Sequence, residues 1–250
     1  MVYLYYSSGR HIGIWRKEVW YMRYVSIMGD SISTYKGYNP NGYAVFYDKE
    51  KQRKNGLNSV YDTWWAKVNQ ALHAYLCVNN SYSGSKVTGK DFPSAASEER
   101  VANLHNGEHY PDVILFYIGI NDFGSGVQIS GKKLLYVKES FQFFDYAYEK
   151  MLSRVSKRYP QSKIICGTLM RSKIEETDYW GFPEAYAGIE LEQYNNVIRK
   201  TCKKKKCYLA DLSSLNMRYE TLDGTHPTKR GHLTIAKGWI TCLKNMNLVA

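Results

Sequence analysis

The strongest strand candidate in the chain is Asp112-Val113-Ile114-Leu115-Phe116-Tyr117-Ile118. Its apolar residues are continuous rather than alternating, which is typical of a parallel strand covered on both faces. The polar turn Gly119-Ile120-Asn121-Asp122 follows directly and marks the end of the strand. This stretch therefore predicts a central strand of a parallel sheet.

Strand and helix patterns alternate on both sides of this stretch. Further strands are predicted at 24–28, 74–78, 163–167 and 207–210, and helices at 62–72, 95–104, 137–158, 190–201 and 228–243. We expect Ser94 to cap the second helix, and Leu233, Ala236 and Ile240 to face the core from the last one. Such alternation predicts a doubly wound α/β fold around a five-stranded parallel sheet.

Length and composition agree with one globular domain. The chain has 250 residues, of which 44% are hydrophobic and 23% charged, and no run reaches the roughly eighteen apolar residues of a membrane span. We interpret residues 23–250 as a single domain and residues 1–22 as an N-terminal extension to which the sequence assigns no role. The extension lacks the apolar core of a signal peptide, so we expect a cytoplasmic protein without stable membrane association.

The chain is basic, with 34 Lys and Arg residues against 23 Asp and Glu residues and a formal net charge of +11. Its densest basic run, residues 203–206, lies where a helix is predicted to end, and cations are favourable there. We therefore interpret the run as a solvated helix end and expect no nucleic acid partner. The five cysteines contain no CxxC pair, so no metal site is expected. The sequence does not specify an oligomeric state.

Four polar, glycine-bearing loops follow predicted strands or precede the last helix. They are Gly29-Asp30-Ser31, residues 79–84, residues 119–122 and Asp223-Gly224-Thr225-His226-Pro227. In a doubly wound sheet, loops at the carboxyl ends of the strands meet at one edge and form the functional site. Together these loops supply a hydroxyl, an amide, a carboxylate and an imidazole, which are the groups of a Ser-His-Asp acyl-transfer site.

Each of these groups has an expected role. Ser31 is the candidate nucleophile, His226 the candidate base, and Asp223 the acid that orients the base. The oxyanion donors are predicted to be the backbone N–H groups of Ser31 and Gly84 and the side-chain amide of Asn121. Each loop alone is also a common turn or cap, and it is their order along one sheet edge that favours the catalytic interpretation.

Four further residues are predicted to support this site. Gly29 allows a close approach before the nucleophile, and Gly119 opens the Gly-x-Asn-Asp turn that carries the amide. We expect Asp30 and Asp122 to hold their loops together by hydrogen bonds rather than to take part in the chemistry.

These blocks resemble those of the SGNH hydrolase superfamily, the GDSL-type esterases and lipases. The residues that name the superfamily correspond here to Ser31, Gly84, Asn121 and His226, with Asp223 as the acidic partner. The resemblance extends from residue 29 to residue 227. It implies a three-layer α/β/α, flavodoxin-like fold, the activity of a serine esterase, and no metal or organic cofactor.

The resemblance leaves the substrate open. The loops after Ser31 and after the fourth strand are rich in aromatic residues, namely Tyr35, Tyr38, Tyr43, Phe46, Tyr47, Tyr179, Trp180, Phe182 and Tyr186. These rings either pack the loops onto the body or bind sugar rings or an acyl chain. The leading hypothesis is a carbohydrate O-acetyl esterase acting on a small-molecule or carbohydrate ester. The alternatives are a lysophospholipase or thioesterase-type acyl hydrolase, and a non-catalytic glycan-binding protein.

Overall fold

A five-stranded parallel sheet forms the centre of the molecule, as the sequence predicts. The computed structural model describes residues 23–130, 140–177, 179 and 181–249. The strands are β1 (Arg23–Gly29), β2 (Ala74–Asn79), β3 (Val113–Tyr117), β4 (Lys163–Gly167), β5 (Arg171–Ile174), β6 (Ala185–Tyr186), β7 (Ile189–Glu190), β8 (Tyr208–Ala210) and β9 (Arg218–Thr221). The central sheet has the order β2-β1-β3-β4-β8, so the fully buried β3 lies in the middle.

Helices cover both faces of this sheet. They are α1 (Lys49–Lys54), α2 (Trp64–Ala71), α3 (Glu98–Ala102), α4 (Ile120–Gly124), α5 (Phe144–Arg158), α6 (Leu191–Lys205) and α7 (Lys229–Asn245). On β4, Cys166 faces Tyr148 of α5 and Cys202 of α6, whereas the next residue, Gly167, lies against Trp239 of α7. Because successive side chains of a strand point to opposite faces, α5 and α6 cover one face and α7 the other. None of the helices in the described ranges is both long and apolar enough to cross a bilayer.

The helix predicted over residues 95–104 is shorter than expected and has a different cap. It is α3, and the hydroxyl of Ser97 accepts a hydrogen bond from the backbone N–H of Arg100 at its first turn. The expectation that Ser94 caps this helix is wrong. The Ser94 hydroxyl instead donates to the backbone carbonyl of Val87 at 2.8 Å, which closes a turn within the loop between β2 and α3.

Helix α5 begins later than the predicted residue 137. Residues 140–143 form a turn in which Phe143 N donates to Ser140 O, and the amide of Phe144 donates to Gln128 O. Because this amide bonds to another loop, the helical hydrogen-bond ladder starts only at Phe144. Residues 137–139 and the predicted extension of residues 1–22 lie outside the described part of the chain.

Helix α7 buries a face that overlaps the predicted one but is shifted away from Leu233. Ala236 is buried and Ile240 half-buried as expected, but Leu233 is 41% exposed. The face that meets the core carries Ile235 and Trp239, both fully buried. The largest apolar side chain of the helix, Trp239, therefore turns inward, and the apolar face rotates with it.

Two small strand pairs that the sequence does not predict follow the main strands. β5 pairs with β9 in parallel, and β6 pairs with β7 as an antiparallel hairpin. β5 reads Arg-Ser-Lys-Ile and lacks the apolar run that marks a buried strand. β9 leads directly into residues 222–227, so the β5–β9 pair determines where this candidate site loop begins.

Candidate active site

The predicted nucleophile lies in a sharp turn at the carboxyl end of β1. Ser31 begins the 3₁₀ turn Ser31–Ser33, and the side chain of Asp30 caps it by accepting a backbone N–H within the turn at 3.1 Å. Gly29 leaves no room for a side chain, since a Cβ there would lie 2.6 Å from Ser33 Oγ. The tight packing of this glycine allows the chain to turn immediately and brings the hydroxyl to the sheet edge.

The structure brings Ser31, His226 and Asp223 into one hydrogen-bonded chain. Ser31 Oγ lies 3.0 Å from His226 Nε2, and Nδ1 of the same ring lies 2.7 Å from Asp223 Oδ2. The other carboxylate oxygen accepts the backbone N–H groups of Thr225 at 3.0 Å and His226 at 2.8 Å. With Nδ1 donating to the carboxylate, Nε2 of the neutral ring is an acceptor that faces the serine hydroxyl.

The environment of Asp223 keeps its carboxyl ionised. Burial by itself would raise the pKa of this group. Hydrogen bonds from the ring and backbone of His226, together with that from Thr225, outweigh burial and hold the pKa of Asp223 well below its usual range. The side chain of Asp223 is nevertheless 48% exposed, against 19% for His226. The Asp223 end of this series of hydrogen bonds is therefore open to solvent.

Two buried tyrosines hold the loop that carries these groups. The hydroxyl of Tyr219 donates to Thr225 O at 3.1 Å, and the hydroxyl of Tyr47 donates to Pro227 O at 2.7 Å. Both rings are fully buried. The backbone on each side of the candidate base is thus anchored to the core.

The predicted oxyanion donors lie on neighbouring loops. Asn121 Nδ2 donates to Ser85 O at 2.9 Å, which links α4 to the residue after Gly84. Gly84 is exposed and has φ +79°, a backbone conformation that suits glycine. Within the described part of the chain, the backbone N–H groups of Ser31 and Gly84 donate to no protein acceptor. These two N–H groups and the second amide hydrogen of Asn121 are therefore open to a ligand.

Asp122 and Gly119 hold the segment that carries Asn121. The buried carboxylate of Asp122 accepts hydrogen bonds from Val87 N at 2.7 Å, Thr88 N at 3.0 Å and Thr88 Oγ1 at 2.7 Å. Burial raises the pKa of Asp122, against the effect of these bonds. At Gly119, a Cβ would lie 3.2 Å from an aromatic ring of α5. Both residues act within the structure and do not face solvent.

A buried cation lies below the turn of the predicted nucleophile, Ser31–Ser33 (the nucleophile turn). The sequence pattern did not indicate it. The guanidinium of Arg100 donates to the backbone carbonyls of Gly29 at 3.1 Å, Asn80 at 2.7 Å and Pro93 at 2.6 Å. Burial lowers the pKa of Arg100 to about 10, and burial raises the pKa of the neighbouring Asp30 to about 7. Arg100 follows two glutamates in a short polar helix, so its sequence context resembles that of an exposed residue.

The aromatic residues of the two long loops differ in their exposure. Several are buried or half-buried and pack the loops onto the body, namely Tyr35, Tyr43, Tyr47, Phe182 and Tyr186. Tyr38 and Tyr179 are exposed, and Trp180 lies outside the described residues. Phe46 stacks on His226, with ring centroids 3.4 Å apart. The sequence marks Phe46 as one loop aromatic among many, without indicating this contact.

Among the described residues, no group of three or more His, Cys, Asp or Glu side chains is arranged to hold a metal ion.

Comparison with known proteins identifies the class of this molecule. Its parallel sheet, with a serine and a histidine joined at the carboxyl edge, is the fold of the SGNH hydrolases, which are ester-hydrolysing enzymes. A family model described as GDSL-like lipase/acylhydrolase matches residues 23–180. The chain belongs to this family, as its sequence blocks predict.

Several solved structures share this fold. A protein from Bacteroides ovatus described as a GDSL-like lipase is 24% identical, with 90% of this chain and 99% of that chain covered at a TM-score of 0.66. One from Bacteroides uniformis with the same description is 23% identical, with 90% and 96% covered at a TM-score of 0.65. An active-site mutant of a family two carbohydrate esterase from Clostridium thermocellum is 18% identical, with 91% and 65% covered at a TM-score of 0.54. No curated protein sequence matched the chain.

Proposed function

We propose that this enzyme is a serine esterase whose catalytic triad is Ser31, His226 and Asp223. The observation that carries the proposal is the continuous chain from Ser31 Oγ through the imidazole to Asp223, with contacts of 3.0 Å and 2.7 Å. A serine hydroxyl becomes an effective nucleophile when a neighbouring base takes its proton. The carboxylate orients the imidazole for this transfer and stabilises the imidazolium that forms.

The proposed reaction proceeds through an acyl-enzyme. Ser31 Oγ bonds to the ester carbonyl carbon while His226 Nε2 takes the hydroxyl proton, and the carbonyl electron pair moves onto oxygen. N–H groups of Ser31, Gly84 and Asn121 stabilise this oxyanion. The bond to the leaving alcohol then breaks, and the imidazolium returns the proton to that alcohol. Water attacks the acyl-serine by the same route, which releases the carboxylic acid and restores the serine.

As substrates we propose carbohydrates esterified with small acyl groups, above all acetyl. The solvent exposure of Asp223 beside the histidine suits an ester whose alcohol part is bulky and hydrophilic. Tyr179 is 78% exposed and lies two residues before Gly181. The carbonyl oxygen of Gly181 packs against Gly224 of the loop that carries His226, residues 222–227 (the histidine loop). An exposed aromatic ring can stack on a sugar, so Tyr179 is the candidate sugar-binding residue. The carbohydrate esterase from Clostridium thermocellum, which shares the fold, is consistent with this substrate class.

Hydrolysis of p-nitrophenyl acetate, butyrate and octanoate by the wild type and Ser31→Ala tests the triad and the acyl preference. We expect turnover of the acetate by the wild type and a loss of about 10³-fold or more in the variant. A fluorophosphonate should label the wild type but not Ser31→Ala. Ser125→Ala, which removes an exposed hydroxyl at the end of α4, is the matched control and should retain full activity.

Each of the other functions gives a different result. A preference for octanoate over acetate would favour a lysophospholipase or thioesterase-type acyl hydrolase. Release of acetate from an acetylated polysaccharide tests the carbohydrate part directly. Equal background rates for the wild type and Ser31→Ala, with glycan binding by both, would replace the esterase with a non-catalytic glycan-binding protein.

A further inference from the structure

The ring of Phe46 covers one face of the His226 imidazole. The two ring centroids are 3.4 Å apart, and the planes differ by 8°, so the rings are in full face-to-face contact. Phe46 lies in the loop between Ser31 and α1 and is half-buried. The residue that covers the histidine thus comes from a loop far from His226 in the sequence.

The hydrogen bonds at its two nitrogens limit how far the His226 ring can move in its own plane. They restrain tilting of the ring out of that plane only weakly. Ser31 Oγ and Asp223 Oδ2 contact the two ring nitrogens, and the Asp223 side chain is about half exposed. Contacts at the nitrogens orient the ring edge, but the energy of a hydrogen bond varies only gently with small tilts. A flat side chain in van der Waals contact opposes such tilting directly, because the ring cannot move into occupied space.

The position of Phe46 is itself fixed to both halves of the site. Its backbone N–H donates to Thr34 Oγ1 at 2.9 Å, and this hydroxyl donates to Ser31 O at 2.9 Å. The next residue, Tyr47, donates to Pro227 O, directly after the histidine. Two successive residues thus connect the nucleophile turn with the histidine loop, and the first of them carries the stacked ring.

From this geometry we propose that Phe46 is a positioning residue that holds the His226 ring in line with Ser31. The inference rests on the proposed triad and extends it. Phe46 acts through the histidine and takes no part in proton transfer. Its removal loosens the base without removing it, so the chemical step suffers more than substrate binding, since misplacement of a catalytic group by about 1 Å can cost 10²-fold in rate.

Two variants of Phe46 separate the effect of its flat face from that of its apolar volume. Phe46→Leu keeps an apolar side chain without a flat face, whereas Phe46→Tyr keeps the ring. Tyr38→Leu is the matched control, because Tyr38 lies in the same loop but packs against Tyr35 and Trp65 rather than the triad. Thermal unfolding comes first for each variant, and Phe46→Met takes the place of Phe46→Leu if the latter does not fold.

On p-nitrophenyl acetate, we expect kcat of Phe46→Leu to fall about 10- to 100-fold while KM changes less than about threefold. Phe46→Tyr should remain within about threefold of the wild type, and Tyr38→Leu within about twofold. In proton NMR spectra, the downfield resonance of the His226 Nδ1 proton should be seen in the wild type and Phe46→Tyr. It should broaden in Phe46→Leu, because a loosened ring exchanges this proton with water faster.

The outcomes distinguish this inference from the proposed function. If Ser31→Ala is inactive while Phe46→Leu keeps kcat within twofold and an unchanged Nδ1 resonance, the positioning role is overturned. Equal losses of kcat in Phe46→Leu and Phe46→Tyr would also overturn it, because the ring is kept in one and lost in the other. Turnover that survives in Ser31→Ala would instead refute the triad on which the inference rests.

Discussion

At the scale of single residues, the proposed triad gives Asp223 the role of fixing which nitrogen of His226 acts as the base. In Asp223→Asn the side chain keeps its shape, but its amide group can donate to Nδ1. The proton then resides on Nε2, which can no longer accept the proton of Ser31. We expect kcat on p-nitrophenyl acetate to fall about 10²- to 10⁴-fold, with the midpoint of thermal unfolding little changed. A kcat within about fivefold of the wild type would show that Asp223 does not orient the base.

The residues of the candidate site differ in how far the sequence could predict them. Ser31, Asp223 and His226 lie in short blocks whose glycine, proline and polar neighbours mark loops at strand ends. Arg100 and Phe46 could not be assigned in this way, because their roles depend on contacts made only in the folded chain. One of the three carbonyls that Arg100 binds belongs to Gly29, 71 positions earlier, and no local pattern encodes this pairing.

At the scale of one element, helix α7 depends on Trp239 rather than on the predicted Leu233. Trp239 is fully buried and stacks on Trp64 of α2, with ring centroids 5.3 Å apart. Trp239→Ala should lower the free energy of unfolding by about 3–5 kcal/mol, because it leaves a cavity between α7, α2 and the sheet. Leu233→Ala on the same helix is the control, and its exposed side chain should change stability by less than about 1 kcal/mol. Urea unfolding that gives equal losses for both variants would contradict the observed orientation of α7.

The elements that the sequence misplaced share a physical cause. The sequence predicted α3 and α5 to begin too early, because backbone amides within the predicted helices bond outside them. Ala95 N, ahead of α3, donates to Lys86 O. Phe144 N, for example, donates to Gln128 O, which no helical pattern indicates. β5 escaped prediction because its partner, β9, is remote in sequence and its residues are mostly polar. Periodicity reports burial along one segment, but it carries no information on partners elsewhere in the chain.

At the scale of the whole molecule, the class of fold followed from the order of the segments. Alternating strands and helices permit few arrangements, because crossovers between parallel strands are right-handed. The apolar run of β3 correctly predicted a central position. In such a sheet the carboxyl ends of β1 and β3 are adjacent. The pairing of these two strands is therefore enough to bring Ser31 close to the segment of Asn121. The topology thus brings the loops of the candidate site together. The buried polar groups beneath them, Asp30, Arg100 and Asp122, then hold these loops in place by hydrogen bonds.

One of these groups should make the stability of the whole molecule depend on pH. Burial raises the pKa of Asp30 in the folded protein from 3.8 to about 7. Below about pH 4 the carboxyl is protonated in both states, and between about pH 4 and 7 only the folded state keeps the proton. Raising the pH through this range therefore favours the unfolded state, and above it the difference is constant.

Asp30→Asn isolates this effect, because the amide oxygen can still accept the N–H group that Asp30 accepts in the 3₁₀ turn. Relative to the variant, the wild type should lose a few kcal/mol of unfolding free energy between pH 4 and pH 8, at about 1.4 kcal/mol for each unit of pKa difference. Urea unfolding at several pH values measures this change. Asp91→Asn, at an exposed position, should follow the wild type at every pH. A difference between wild type and Asp30→Asn that stays constant with pH would mean that the Asp30 carboxyl ionises alike in both states. The carboxyl that caps the nucleophile turn would then have the same pKa in the folded and the unfolded protein despite its burial.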